Sequence, residues 1–209
     1  MGTSAAKENI LRRIRQALSN PVPLPFPQSE GVSSLHQPAN EELEILFAKV
    51  FTQLQGKFAY CENEADLLQQ VQQLITKKGW TKIYCCESPW NDSFSNTIHL
   101  AGCDASITGC EYLVARTGTI VMSAAQQSGR TVSVYAPIHI CIAYTNQLVY
   151  DLRDSLQLLK DRYADNFPSL ITYASGPSRT ADIEKTLVTG VHGPKEVYLF
   201  LVDNTSAKD

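Results

Sequence analysis

The chain has 209 residues with 44% hydrophobic, 18 Lys and Arg against 21 Asp and Glu, and a net charge of −3. That size and apolar fraction suit one domain with a sizeable core and a short appendage, and the mild acidity argues against nucleic acid as the main partner, since that needs clustered cations. Nothing approaches the roughly 20 consecutive apolar residues of a membrane-spanning helix, and the start of the chain lacks a signal-peptide core, so the expected location is cytoplasmic with no membrane span.

In chain order, the first predicted element is an amphipathic helix over residues 5–18. Ile10, Leu11, Ile14, Ala17 and Leu18 repeat at helical spacing, and Arg12, Arg13 and Arg15 fall on the other side. The run Pro21-Val-Pro-Leu-Pro-Phe-Pro27 cannot be helical, because proline lacks the donor and restricts the residue before it, so residues 19–40 read as an extended linker. The main domain is expected over 41–205, with a tail over 206–209. It opens with a helix over 41–54 and a strand over 57–60. A helix capped by Asn63 follows, with Leu67, Leu68, Val71, Leu74 and Ile75 on its face and Gly79 as its stop. Further strands are expected at 82–86, 119–123, 138–144, 170–173 and 196–202, and helices at 148–163 and 181–189. Near-continuous apolar strands alternating with amphipathic helices indicate an α/β fold, a mostly parallel sheet covered by helices on both faces.

The six cysteines include the adjacent pair Cys85 and Cys86 but no C-x-x-C spacing, so reduced thiols are expected rather than a metal or cluster site. No Ser–His–Asp pattern, Walker loop or G-x-G-x-x-G occurs.

Two stretches could carry chemistry. Thr117-Gly118-Thr119 stands before a strand, where glycine lets backbone amides approach a ligand and the hydroxyls can donate; a plain turn is the alternative. Ser178, Arg179, Thr180 and Asp182 stand at the start of the helix expected over 181–189. There free amides and the dipole would form an anion site, with Arg179 gripping a carboxylate or phosphate. The alternative is a capped helix in which Arg179 pairs with its own Asp182. His192 lies in a Gly-Pro-bracketed loop beyond Gly190, either as a base or ligand donor or as a brace for the loop. A straight helix would put it roughly 15–20 Å from Arg179. Glu111, Arg116 and Arg130 are further candidates near the first stretch. His139, in an apolar strand, reads as a hydrogen-bonded core histidine.

Ser175-Gly-Pro-Ser-Arg-Thr-Ala-Asp-Ile-Glu184 followed by Gly190-Val-His-Gly-Pro194 closely resembles the carboxy-terminal signature of the lactate utilisation protein C family, the LUD-domain proteins. Thr117-Gly-Thr-Ile-Val121, Gly129-Arg130, Pro137-Ile-His-Ile140 and the Ile10-to-Arg15 helix match the same family in the same order. The resemblance implies a fold like that of ribose-5-phosphate isomerase, glucosamine-6-phosphate deaminase and the CoA transferases. It also implies a part in bacterial oxidation of L-lactate to pyruvate, in which partner subunits carry the iron–sulfur clusters and this chain binds no cofactor. A small anionic ligand would lie among Arg116, Thr117, Gly118, Thr119, Arg130, Ser178, Arg179, Thr180, Asp182 and His192, and a homo-oligomer is left open. One departure is Arg116, where family members commonly carry Glu; it removes the acidic group that works covalently in the CoA transferases. The fold also raises an alternative: a stand-alone isomerase or acyl-transfer enzyme acting on a sugar phosphate or acyl-CoA, with His192 or Glu111 as base.

Overall fold

The computed structural model describes residues 5–19, 41–97, 99–183 and 186–204, and the chain divides into two units, Met1–Pro38 and Ala39–Asp209. In the first unit α1 spans Ala5–Ser19, as the helical spacing predicts. Almost all of the expected linker, and the tail over 206–209, lie outside the described residues.

The second unit runs α2 (Leu43–Gln53), β1 (Lys57–Cys61), α3 (Glu64–Lys78), β2 (Ile83–Cys85), α4 (Asn91–Phe94), β3 (Ala105–Thr108), β4 (Tyr112–Val114), β5 (Thr119–Ser123), α5 (Val132–Tyr135), β6 (Ile138–Tyr144), β7 (Leu148–Val149), α6 (Leu152–Tyr163), β8 (Ile171–Ala174), β9 (Arg179–Ile183), β10 (Thr186–Thr189) and β11 (Glu196–Val202). The helix ends follow local chemistry. The Asn63 side chain accepts from the Asp66 amide at 3.0 Å at the start of α3, and Gly79 closes that helix in the left-handed region at φ 68°.

Five strands form a parallel central sheet in the order β1-β11-β6-β3-β2. Strand β11 shows how one apolar run serves two cores. Tyr198, Phe200 and Val202 pack with Leu67, Val71 and Ile75 of α3, while Val197, Leu199 and Leu201 pack with Phe47 and Phe51 of α2. Successive side chains point to opposite faces, so a strand covered on both sides must be apolar throughout. The expected α/β class with a mostly parallel sheet and helices on both faces is what the chain adopts.

The second face also carries a layer that hydrophobic pattern alone did not separate. Strands β7-β4-β5-β8 form a smaller mixed sheet, antiparallel except for the β4–β7 pair. Leu113 and Ile120 face inward beside α2, and Val114 and Val121 face outward against Leu159 of α6. The strands expected at 119–123 and 170–173 belong to this layer, while β3 and β4 were not anticipated because each is short and flanked by polar residues or glycine.

One expected element is overturned. Residues 181–189 are not a helix: β9 and β10 pair antiparallel, with Thr189 opposite Arg179 and Val188 opposite Thr180. Five residues of the two strands, Thr180, Ile183, Thr186, Val188 and Thr189, are β-branched, which favours extended backbone. The hairpin base is clamped by the Ser178 amide donating to Pro194 O at 2.9 Å and the Gly190 amide donating to Ser178 O at 3.0 Å. The Ser-Arg-Thr-Ala-Asp run imitates a capped helix start, and tertiary pairing overrides it.

Candidate functional site

Both signature stretches converge on the second face of the central sheet, but they split between two places. The first is the carboxyl end of α2. Gly118 sits at φ 57°, and a Cβ there would stand 2.8 Å from the Phe51 backbone nitrogen. Gly176, at φ 79°, would place a Cβ 2.6 Å from the carbonyl oxygen of Leu54, and the Arg179 guanidinium donates to that same carbonyl. The hydroxyls of Thr117, Thr119 and Ser175 form a chain, each link 2.7 Å long. Thr117, Gly118, Thr119 and Arg179 therefore do come together, around the end of a helix that presents carbonyl oxygens. That end is the negative pole of the dipole, where a guanidinium is favoured and an anion is not. The helix amino terminus on which the anion expectation rested is replaced by β9. Arg179 is exposed and bound to Leu54, and Thr180 is half-buried in the hairpin. Asp182 lies in β9, with its side chain outside the described residues.

The second place is a cavity of about 270 Å³ between the two sheets. Met122 and Ala174 of the smaller sheet form one wall, and His139 and Val197 of the central sheet form the other. Ser133 and Val134 of α5 close a side, while Ser175 to Ser178 and His192 to Pro194 supply the loops. Ser178 and His192, which a straight helix would have held far apart, thus share one space because the hairpin returns the chain to its starting point. Close packing makes this work, since a Cβ at Gly193 would stand 2.9 Å from the Ser178 Cβ.

His139, which the sequence reading placed in the core, also lines this cavity. It is 1% exposed, and Nε2 lies 2.8 Å from Thr108 Oγ1, so the core reading stands. Burial pushes its pKa down to about 4, so the imidazole is uncharged near neutrality. His192 is exposed. The signal available in sequence was a lone imidazole at the start of an otherwise apolar strand, which pattern alone cannot tell from a packed one.

The remaining candidates stand elsewhere. Glu111 is buried and its carboxylate is fully occupied, accepting from Ser123 Oγ at 2.5 Å, Tyr163 OH at 2.7 Å and Arg162 Nη1 at 2.6 Å. Such a group braces β4, β5 and α6, and is poorly placed to take a substrate proton. Arg116 pairs with Asp151, the N-cap of α6, and so anchors that helix. Arg130 donates to Ser169 Oγ on the surface. All six cysteines are free thiols, and burial pushes Cys61 up to about 12 and Cys85 up to about 11. Among the described residues, no three His, Cys, Asp or Glu side chains converge as metal ligands. A larger cavity of about 500 Å³ is lined by Glu42, Glu44 and Asp203 beside Ile45 and Tyr60, a sign of charge that repels a carboxylate.

The model of the LUD domain matches residues 90–202. In an alignment of 228 positions the chain is 31% identical to a Lactate utilization protein C of an Exiguobacterium species, a match covering 96% of this chain and 97% of that protein. It is 30% identical over 123 residues to an uncharacterized protein of Neisseria meningitidis, covering 57% of this chain and 50% of that one. It is 35% identical over 100 residues to a Lactate utilization protein C of Deinococcus radiodurans, covering 47% and 46% respectively. The chain thus spans about half the length of these last two relatives. Among solved structures, a DUF162 family protein from Deinococcus radiodurans superposes with a TM-score of 0.58 at 18% identity, covering 79% of this chain and 99% of that one. This last likeness concerns the fold.

Proposed function

The chain belongs to the LUD domain family, and from that premise we propose that it is a component of L-lactate utilisation that binds a small ligand in the cavity between its two sheets. Supporting the role is the alignment, over nearly the full length of both chains, with a relative named for lactate utilisation. Supporting the site is the convergence of the Ser175–Ser178 and His192–Pro194 loops with His139 on one cavity. The β9–β10 hairpin brings the two loops together, and His139 joins them from a strand distant in sequence.

In this reading the chain holds no redox cofactor. Electrons leave lactate through partner subunits with iron–sulfur clusters, and this chain supplies ligand binding and assembly. Arg179 has a structural part, holding the end of α2, and the ligand is met by Ser178 and His192 instead. Deleting the gene and tagging the chain in its native cell test the role. Slow growth on L-lactate as sole carbon source, with recovery of iron–sulfur proteins on the tagged chain, is expected. Normal growth together with recovery of the chain alone would sink the reading.

A further inference from the structure

The apolar stripe of α1 is uncovered. Ile10, Leu11 and Ile14 are 59%, 37% and 48% exposed, and every side chain described over residues 7–16 is exposed. A helix of 15 residues is marginal in water by itself, so its stability must come from covering that stripe. Along the same helix stand Lys7, Arg12, Arg13 and Arg15 against the single acid Glu8.

Beside α2 lies a groove of opposite charge. It is the cavity of about 500 Å³ in which Ile45, Ala48, Phe58 and Tyr60 adjoin Glu42, Glu44 and Asp203. Ile45 and Tyr60 are 55% and 46% exposed, so the apolar lining is open to solvent. Neither Lys nor Arg is among its described lining residues. Burial, a hydrogen bond to Asp203 and the nearby carboxylates of Glu44 and Glu62 all push the Tyr60 pKa up, which marks the same concentration of negative charge.

The complement of such a groove is an amphipathic helix with apolar anchors at i and i+4 and cations to meet the acidic rim. Ile10 and Ile14 have that spacing, and the arginines beside them supply the charge. Connectivity puts the helix within reach, because α1 ends at Ser19 and the groove's rim is Glu42, where α2 begins. The chain between them spans at most roughly 70–80 Å. A sequence with Pro21, Pro23, Pro25 and Pro27 favours a stiff, extended spacer, which favours contact with another copy over folding back.

We propose that α1 of one copy seats Ile10, Leu11 and Ile14 in the acidic groove beside α2 of a second copy, with its arginines facing Glu42, Glu44 and Asp203. Two chains thereby exchange helices, and two equivalent contacts close a symmetric pair. This surface shares no lining residue with the cavity between the sheets, and neither reading depends on the other.

Sedimentation equilibrium of the purified full chain tests the proposal. The wild type should be a dimer that salt loosens, since exposed charges are screened over about 10 Å at 0.1 M. Ile10→Asp combined with Ile14→Asp should give a monomer. Arg12→Glu, Arg13→Glu and Arg15→Glu together should weaken the dimer roughly tenfold, as a few exposed ion pairs are reversed. Glu42→Lys with Glu44→Lys should do the same. Combining both sets of reversals should recover most of the affinity, which a chain that had failed to fold could not do. Carbodiimide coupling of a mixture of unlabelled and nitrogen-15-labelled chains should join Lys7 to Glu42 or Glu44 in peptides that carry both isotopes. A monomeric wild type, a dimer untouched by the Asp substitutions, no recovery in the combined charge variant, or cross-links absent or confined to one isotope would each overturn the proposal.

Discussion

Ser178 and Arg179 are neighbours in the chain, yet they serve two regions of opposite character. Arg179 reaches the carboxyl end of α2 and answers the Leu54 carbonyl with a positive charge; Ser178 lines a cavity with no charged carboxylate or guanidinium among its described walls. The difference comes from extended backbone at the start of β9, where successive side chains leave on opposite sides. One signature can therefore hold scaffold and site in alternation, and a residue type suited to gripping anions can be spent on a helix end.

The two regions should separate under mutation, with the junction moving stability and the cavity moving binding. The largest effect is expected at the junction. Gly118→Val combines left-handed backbone with a Cβ 2.8 Å from the Phe51 nitrogen and should cost about 4 kcal/mol, read as a lowered urea midpoint. Next comes acid sensitivity of the cavity wall. His139 titrates at about 4 when folded and near its ordinary 6.5 when unfolded, so the unfolded chain binds the extra proton as pH falls through that interval. Stability should therefore be unaffected by this residue above pH 6.5 and fall by about 3 kcal/mol towards pH 4, a slope that His139→Gln abolishes in urea melts across pH. Arg179→Ala removes an exposed helix-end contact and should lower stability by about 1 kcal/mol while leaving growth of the native cell on L-lactate unchanged. A large loss of growth there would return Arg179 to the ligand and dissolve the division. The smallest change in stability is expected at His192→Ala, within about 0.5 kcal/mol, with growth on L-lactate slowed. Unchanged growth would remove His192 from the site.

Much of the architecture was legible because it rests on local chemistry. Asn63 and Gly79 bracket α3, β6 and β11 are long apolar runs, and proline separates the first helix from the rest. The smaller sheet was less visible: β4 and β7 are short, and nothing in a strand's own residues says which sheet it joins. Of the candidate residues, Ser178 and His192 line one cavity. Arg179 was expected at an amide-rich helix start and stands instead at a carbonyl-rich helix end, because a guanidinium beside Ser and Thr looks the same in sequence before either. His139 was read as a hydrogen-bonded core histidine and is one, while the cavity beside it depends on residues from other elements.

By itself the sequence determined the α/β class, the capped helices, the apolar strands and the signature that marks the family, since each is written in neighbouring residues. Only the tertiary structure decided that residues 179–189 pair as a hairpin, that the signature meets the carboxyl end of a helix, and that two histidines share a cavity. The reason is that backbone polarity has a direction. Whether a chain segment meets amides or carbonyls depends on which end of another element packs against it, and that is settled only when the whole core closes.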